Sequence, residues 1–221
     1  MINVNNDSMW QAVFFDCDGV ILDSVNVKTK AFAKMFSVYG PEVAAAAVKY
    51  HLENGGVSRY DKFRYYYENL LHQPITEEQA IKLGEEFSCL VVDDVVASPY
   101  MPGALETLDQ LKRKGVPLYL VSGTPQEEIA QIAEKKGFAG YFDEIWGSPA
   151  KKWDIVADIL ARKGHDSLKC VFLGDAMSDY EAAQKNNMRF IGIVPPGKES
   201  VFPPGTFITN RVSVWRGGKR M

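Results

Sequence analysis

Asp16 and Asp18 stand two residues apart at the end of the apolar run Ala12–Phe15, and Gly19 follows at once. Carboxylates at the end of a buried strand are costly to desolvate unless something compensates their charge. A divalent cation does so, because hard ions such as Mg²⁺ are held by one or two carboxylates together with backbone carbonyls and water. Gly19 lets the chain turn tightly and lets the backbone approach a ligand. An Asp-x-Asp pair is common by chance, but two later strand ends carry matching chemistry. Leu120-Val121 run into Ser122-Gly123-Thr124, where a hydroxyl and backbone N–H groups ahead of a helix can seat a phosphate. Taken alone, that segment is as simply explained by helix capping. Phe172-Leu173-Gly174 end in Asp175, with Asp179 one turn further on. Asp175 could complete a cation site with Asp16, and Asp179 could orient a metal-bound water, an N-capping Asp being the competing explanation. Lys151 and Lys152 precede another helical pattern, and either could neutralise charge beside these carboxylates as a compact cation. The alternative is a pair of solvated lysines.

Five short apolar segments are predicted to be the strands that position these groups: Ala12–Phe15, Val116–Val121, Phe142–Trp146, Val171–Leu173 and Phe190–Val194. Between the later ones lie helical repeats, marked by Leu105, Leu108 and Leu111, by Ile129, Ile132 and Ala133, by Ile155, Val156, Ile159 and Leu160, and by Ala182 and Ala183. Strands that alternate with helices and are almost wholly apolar imply a parallel sheet covered on both faces. Such sheets bind ligands outside the carboxyl ends of their strands, the edge to which the acidic and hydroxyl residues belong. The stretch from Val25 to about Ser98 breaks the alternation. It reads as four helices, Val27–Tyr39, Val43–Glu53, Arg59–Leu71 and Glu77–Val96, with Ser58 and Thr76 as N-caps. The β-branched run Val91 to Val96 weakens the end of the fourth. The tail beyond Val194, rich in Pro and Gly and basic from Arg216 to Arg220, reads as loop with a short edge element.

Bulk properties narrow the field. The 221 residues suit one domain, or a core with an insertion. A net charge of −3 gives no electrostatic case for nucleic acid or an anionic membrane, and no apolar run approaches the ~20 residues that span a bilayer. Cys17, Cys89 and Cys170 are widely separated, which points to a reducing compartment. The polar start, Met1 to Ser8, resembles neither a signal nor a transit peptide, so a cytoplasmic protein is expected, as a monomer or small homo-oligomer. His51, His72 and His165 show no ligand spacing and are expected to be structural or on the surface. The tyrosines around Tyr65 are expected to pack within the helical insertion.

Asp16-Cys17-Asp18-Gly19-Val20, Ser122-Gly123-Thr124, a Lys after the third strand, and Gly174-Asp175 with Asp179 resemble the four ordered motifs of the haloacid dehalogenase-like hydrolase superfamily. The resemblance implies an α/β fold, a Rossmann-like doubly wound parallel sheet with an inserted α-helical cap. The core would comprise residues 1–24 and 99–221 and the cap residues 25–98. It implies Mg²⁺ as cofactor, held by Asp16, the Asp18 backbone carbonyl and Asp175, with Asp179 behind them. It implies a small phosphorylated substrate and an aspartyl-phosphate intermediate, with Asp16 as nucleophile and Asp18 as general acid and base. Lys152, immediately before Trp153, resembles the form in which the third-motif Lys opens its helix, with Lys151 the alternative. Gly55-Gly56-Val57-Ser58-Arg59 resembles the segment with which β-phosphoglucomutases and sugar phosphatases of the family touch the far end of the substrate, which would give Arg59 a distal anion to grip. The expected function is a Mg²⁺-dependent phosphatase for a sugar or sugar-acid phosphate. The rivals are a phosphosugar mutase and a non-catalytic binding protein. Lys28 stands where the mutases tend to carry His, which favours the phosphatase.

Overall fold

Successive residues of a strand point to opposite faces of a sheet, and the first strand divides its side chains accordingly. In β1 (Ala12–Phe15) Val13 and Phe15 belong to one buried cluster, Ala12 and Phe14 to another. Both faces are covered, so the strand is apolar throughout. A computed structural model describes residues 10–216 and 219–220; the polar stretch Met1–Ser8 lies outside the described residues.

Four helices follow β1: α1 (Val25–Phe36), α2 (Pro41–Glu53), α3 (Arg59–Asn69) and α4 (Glu77–Ala97). The sheet then resumes as α5 (Ala104–Arg113), β2 (Leu118–Pro125), α6 (Gln126–Lys136), β3 (Glu144–Ser148), α7 (Lys152–Lys163), β4 (Cys170–Gly174), α8 (Met177–Lys185) and β5 (Arg189–Ile193). A short β6 (Ile208–Thr209) extends the far edge, and β7 (Trp215–Arg216) with β8 (Lys219–Arg220) forms a separate antiparallel pair. The strand order is β3-β2-β1-β4-β5-β6, and every pairing in this sheet is parallel. The chain moves outward on one side of β1 and then returns to build on the other. The crevice between β1 and β4 is therefore the switch point where such sheets bind ligands.

The predicted helices and strands are present, with shifts that have physical causes. The α1 segment tightens into a 3₁₀ turn at Ser37–Tyr39, and α2 starts earlier than expected because Pro41 suits the first helical turn. The Val91–Val96 run stays helical because Val91 and Val95 are buried in packing that overrides their propensity. The second strand runs through Ser122-Gly123-Thr124 to Pro125 rather than ending at Val121, and its register with β3 shifts between Val121 and Pro125. Gly123 is required there, since a Cβ would lie 2.3 Å from the Gly56 carbonyl oxygen. In the helical block Phe32, Phe36, Phe63, Tyr66 and Phe87 interlock edge-on and tilted, as in Phe32–Phe87 with centroids 4.5 Å apart.

Candidate active site

Asp16, at the carboxyl end of β1, is buried, and its Oδ1 accepts a hydrogen bond from the Cys17 N–H (2.7 Å). Cys17 itself points into the core. The Lys152 Nζ, carried by the first residue of α7, lies 2.9 Å from Asp16 Oδ1 and 2.6 Å from Asp179 Oδ1. Asp179 also accepts the Ala176 N–H at 3.1 Å, closing the first turn of α8. Lys151 instead is exposed and lies over the Trp153 ring. Lys152 is thus the lysine that reaches the carboxylates. Asp175 follows β4 directly. Gly19, at φ +77°, makes room for it, because a Cβ there would sit 2.2 Å from Asp175 Oδ2.

Oxygens of Asp16, Asp175 and Asp179 all lie within 4.8 Å of one another. Burial pushes all three carboxyls up from the ordinary aspartate range. Neighbouring carboxylates add to this, Asp18 for Asp16 and Asp16 for both Asp175 and Asp179, and Lys152 alone does not offset it. An all-oxygen cluster with more negative charge than its one bonded lysine can neutralise fits a hard divalent cation.

Asp18 sits in a different environment. Ser24 Oγ donates to its Oδ1 (2.6 Å), and the Lys28 Nζ of α1 lies 2.5 Å from its Oδ2. Lys28 also donates to Thr124 Oγ1 at 2.6 Å, and that hydroxyl in turn donates to Asp18 Oδ2 at 3.4 Å. Burial raises the Asp18 carboxyl, but the Lys28 charge and the hydrogen bonds from Lys28 and Ser24 outweigh it and hold the group below the usual range. Ser122 is buried, and its Oγ accepts the Thr124 N–H at 3.1 Å.

A cavity of about 110 Å³ opens here, bordered by Asp16, Asp18, Asp175, Gly123 and Thr124 from the sheet side and by Lys28, His51, Arg59 and Lys62 from the helical block. The structure thus brings Asp16, Asp18, Gly123, Thr124 and Asp175 to one cavity, while Ser122 lies buried behind it. Arg59 departs from expectation. Its guanidinium is taken by both oxygens of Glu128 on α6, at 2.8 and 2.5 Å, and lies over the Phe87 ring. Both partners are buried, and a buried carboxylate of matching geometry engages the arginine fork fully. The free grip on a distal anion assigned to Arg59 is therefore corrected to a bridge between α3 and α6.

Residues that pattern reading passed over take the vacant part of the picture. Lys28, which stands where the mutases tend to carry His, is the ion-pair partner of Asp18. His51, expected to be structural or exposed, borders the cavity beside Lys62. The legible signal for Lys62 was a lysine set among Tyr60, Phe63 and Tyr66 one turn after Arg59. Its pairing with α2 is tertiary and leaves no local trace.

A family description, haloacid dehalogenase-like hydrolase, matches residues 10–187. The chain belongs to that family. Among relatives of this haloacid dehalogenase-like hydrolase, phosphoglycolate phosphatase 1 of Pseudomonas aeruginosa is 29% identical over 183 residues, covering 80% of this chain and 66% of that protein. A phosphoglycolate phosphatase of Yersinia pseudotuberculosis is 25% identical over 193 residues, 83% of this chain and 80% of that one. The fold is shared with β-phosphoglucomutase from Clostridium difficile, with a TM-score of 0.71 at 21% identity over 84% of this chain and 85% of that one. CbbY from Rhodobacter sphaeroides in complex with phosphate gives a TM-score of 0.70 at 17% identity over 92% and 95%. No described helix is long and apolar enough to cross a membrane.

Proposed function

We propose that this hydrolase is a Mg²⁺-dependent phosphatase acting on a small phosphorylated metabolite, a sugar or sugar-acid phosphate. The observation that carries the reading is the convergence of Asp16, Asp18, Thr124 and Asp175 on one cavity, with Lys152 bonded to Asp16. The phosphoglycolate phosphatases among its relatives support the same substrate class. Residues 25–98 serve as the cap and 1–24 with 99–221 as the core. The three free cysteines support a reducing cytoplasmic setting.

In the proposed reaction a phosphate is seated by Ser122, Gly123 and Thr124, with its charge partly offset by Lys152. One Asp16 oxygen attacks phosphorus, the P–O bond to the alcohol breaks, and an aspartyl phosphate forms. The leaving oxygen takes a proton from the Asp18–Lys28 pair. Lys28 keeps Asp18 ionised in the free enzyme, and the arriving phosphate charge favours the protonated form that donation requires. Asp18 then removes a proton from water, which attacks the same phosphorus and restores Asp16. Mg²⁺, held by Asp16, the Asp18 backbone carbonyl and Asp175 with Asp179 behind, would shield the phosphate so that one anion can approach another.

The test is phosphate release from a panel of phosphorylated metabolites with Mg²⁺ and with EDTA. Turnover that needs the metal and returns with it supports the reading, and turnover indifferent to chelation contradicts the metal assignment. Interconversion of hexose phosphates with little phosphate released would favour a mutase instead.

A further inference from the structure

The cavity holds a second group of polar side chains away from the reacting carboxylates. Lys62 on α3 is buried, and its Nζ lies 2.9 Å from His51 Nδ1 on α2. Other cations around the site have carboxylate partners: half-buried Lys28 has Asp18, and buried Arg59 and Lys152 have Glu128 and the pair Asp16 and Asp179. Among the described residues Lys62 has an imidazole and the Phe32 ring, 5.6 Å from its Nζ, but no counter-ion. An ammonium has three donors and no acceptor, so His51 Nδ1 accepts from Lys62 and the imidazole proton sits on Nε2. That Nε2 is buried without a hydrogen-bond partner among the described residues.

We propose that Lys62, held in place by His51, recognises an anionic group at the non-reacting end of the substrate, a carboxylate or a second phosphate. The inference rests on the phosphatase reading and deepens it. A neutral hydroxyl at this place would leave the Lys62 charge unmatched, whereas an anion accepts from Nζ and supplies the counter-charge. Burial, with Lys28 and Lys152 nearby, brings the Lys62 ammonium down to about 7, while Asp18 and Asp175 act the other way. An arriving anion favours the protonated amine, so binding draws a proton onto Lys62. The neighbouring Arg59 is held by Glu128, which leaves Lys62 as the cation available for this task.

The experiment compares kcat/KM, with Mg²⁺ present, for phosphoesters of equal length whose far end is a carboxylate, a second phosphate or a hydroxyl. A charge-assisted contact predicts a preference for an anionic end of about 10-fold or more over the hydroxyl. The carboxylate-to-phosphate ratio tells which anion the site takes. Lys62→Met should collapse the preference, chiefly through KM, and His51→Phe should weaken it, with melting curves confirming that both variants fold. Equal rates for charged and neutral ends, or a preference that survives Lys62→Met, would overturn the proposal. If neither these esters nor an aryl phosphate are hydrolysed, the phosphatase reading itself fails. Calorimetric titration with phosphonates of the same three tails then still decides the point: tighter binding of an anionic tail, lost in Lys62→Met, supports it, and equal binding overturns it.

Discussion

Replacing Asp16 with Asn keeps the side-chain volume and the cavity lining but removes the carboxylate charge that makes its oxygen a nucleophile for phosphorus. Asp16→Asn should abolish turnover while the unfolding transition persists, and an active Asn variant would refute the nucleophile assignment. Asp18→Asn differs in kind. Its loss removes general acid–base help worth about 10²–10⁴-fold, so kcat for an alkyl phosphate should fall within that range. An aryl phosphate leaves without a proton, so its kcat/KM should suffer less; equal losses would contradict the acid role. Lys28 tunes the same carboxylate. Because it holds the Asp18 carboxyl below its usual range, Lys28→Met should raise that pKa. Asp18 is needed protonated in the step that kcat/KM reports, so the alkaline limb of that pH profile should then move to higher pH. An unmoved limb would mean that Asp18 does not set it.

The helical block meets α6 through a buried ion pair. Arg59 on α3 and Glu128 on α6 join segments far apart in sequence, with Ser88 Oγ of α4 hydrogen-bonded to both. Glu128→Gln leaves the arginine buried without its counter-charge, a change that typically costs about 3–5 kcal/mol. Urea unfolding should show a loss of that order. Arg59→Met combined with Glu128→Gln should lose less than the sum of the single changes. Additive losses would mean that the two side chains are not coupled.

This pair also marks what local pattern reading can and cannot deliver. The strand ends Asp16, Ser122 and Asp175 were legible because polar residues terminating apolar runs need a reason, and a shared sheet edge supplies one. The helices were legible from their periodicity and from caps such as Ser58 and Thr76, which the structure shows accepting backbone N–H bonds. Arg59 looked like a substrate residue because Gly55–Arg59 resembles the segment with which β-phosphoglucomutases and sugar phosphatases touch their substrate, while Glu128 reads as an ordinary acidic residue in the first turn of α6. Nothing in either segment announces the other. Lys28, His51 and Lys62 were obscured for the same reason, since each takes its meaning from a partner on another element.

The cavity between sheet and helices concentrates charge that folding must accommodate. Lys62 titrates near 7 in the folded chain against 10.5 for the ordinary side chain. The unfolded chain therefore binds more protons between these values, and the Lys62 contribution makes stability rise with pH across that window. Lys62→Met removes the penalty. The variant should be more resistant to urea at pH 7, and its advantage should shrink towards pH 9. A constant difference across that range would mean that Lys62 is not a desolvated amine.

Covalent catalysis through Asp16 is the centre of the account, and the Asp18→Asn variant exposes it. An aryl phosphate can phosphorylate Asp16 without an acid, but without the Asp18 base the aspartyl phosphate should hydrolyse slowly. The decisive measurement is rapid-quench kinetics of this variant with an aryl phosphate and Mg²⁺, followed by mass spectrometry of the quenched protein. The account predicts a burst of phenol equal to the enzyme concentration, with the phosphoryl mass on the peptide containing Asp16. Phenol and phosphate released in step, with no phosphoryl group on Asp16, would contradict it.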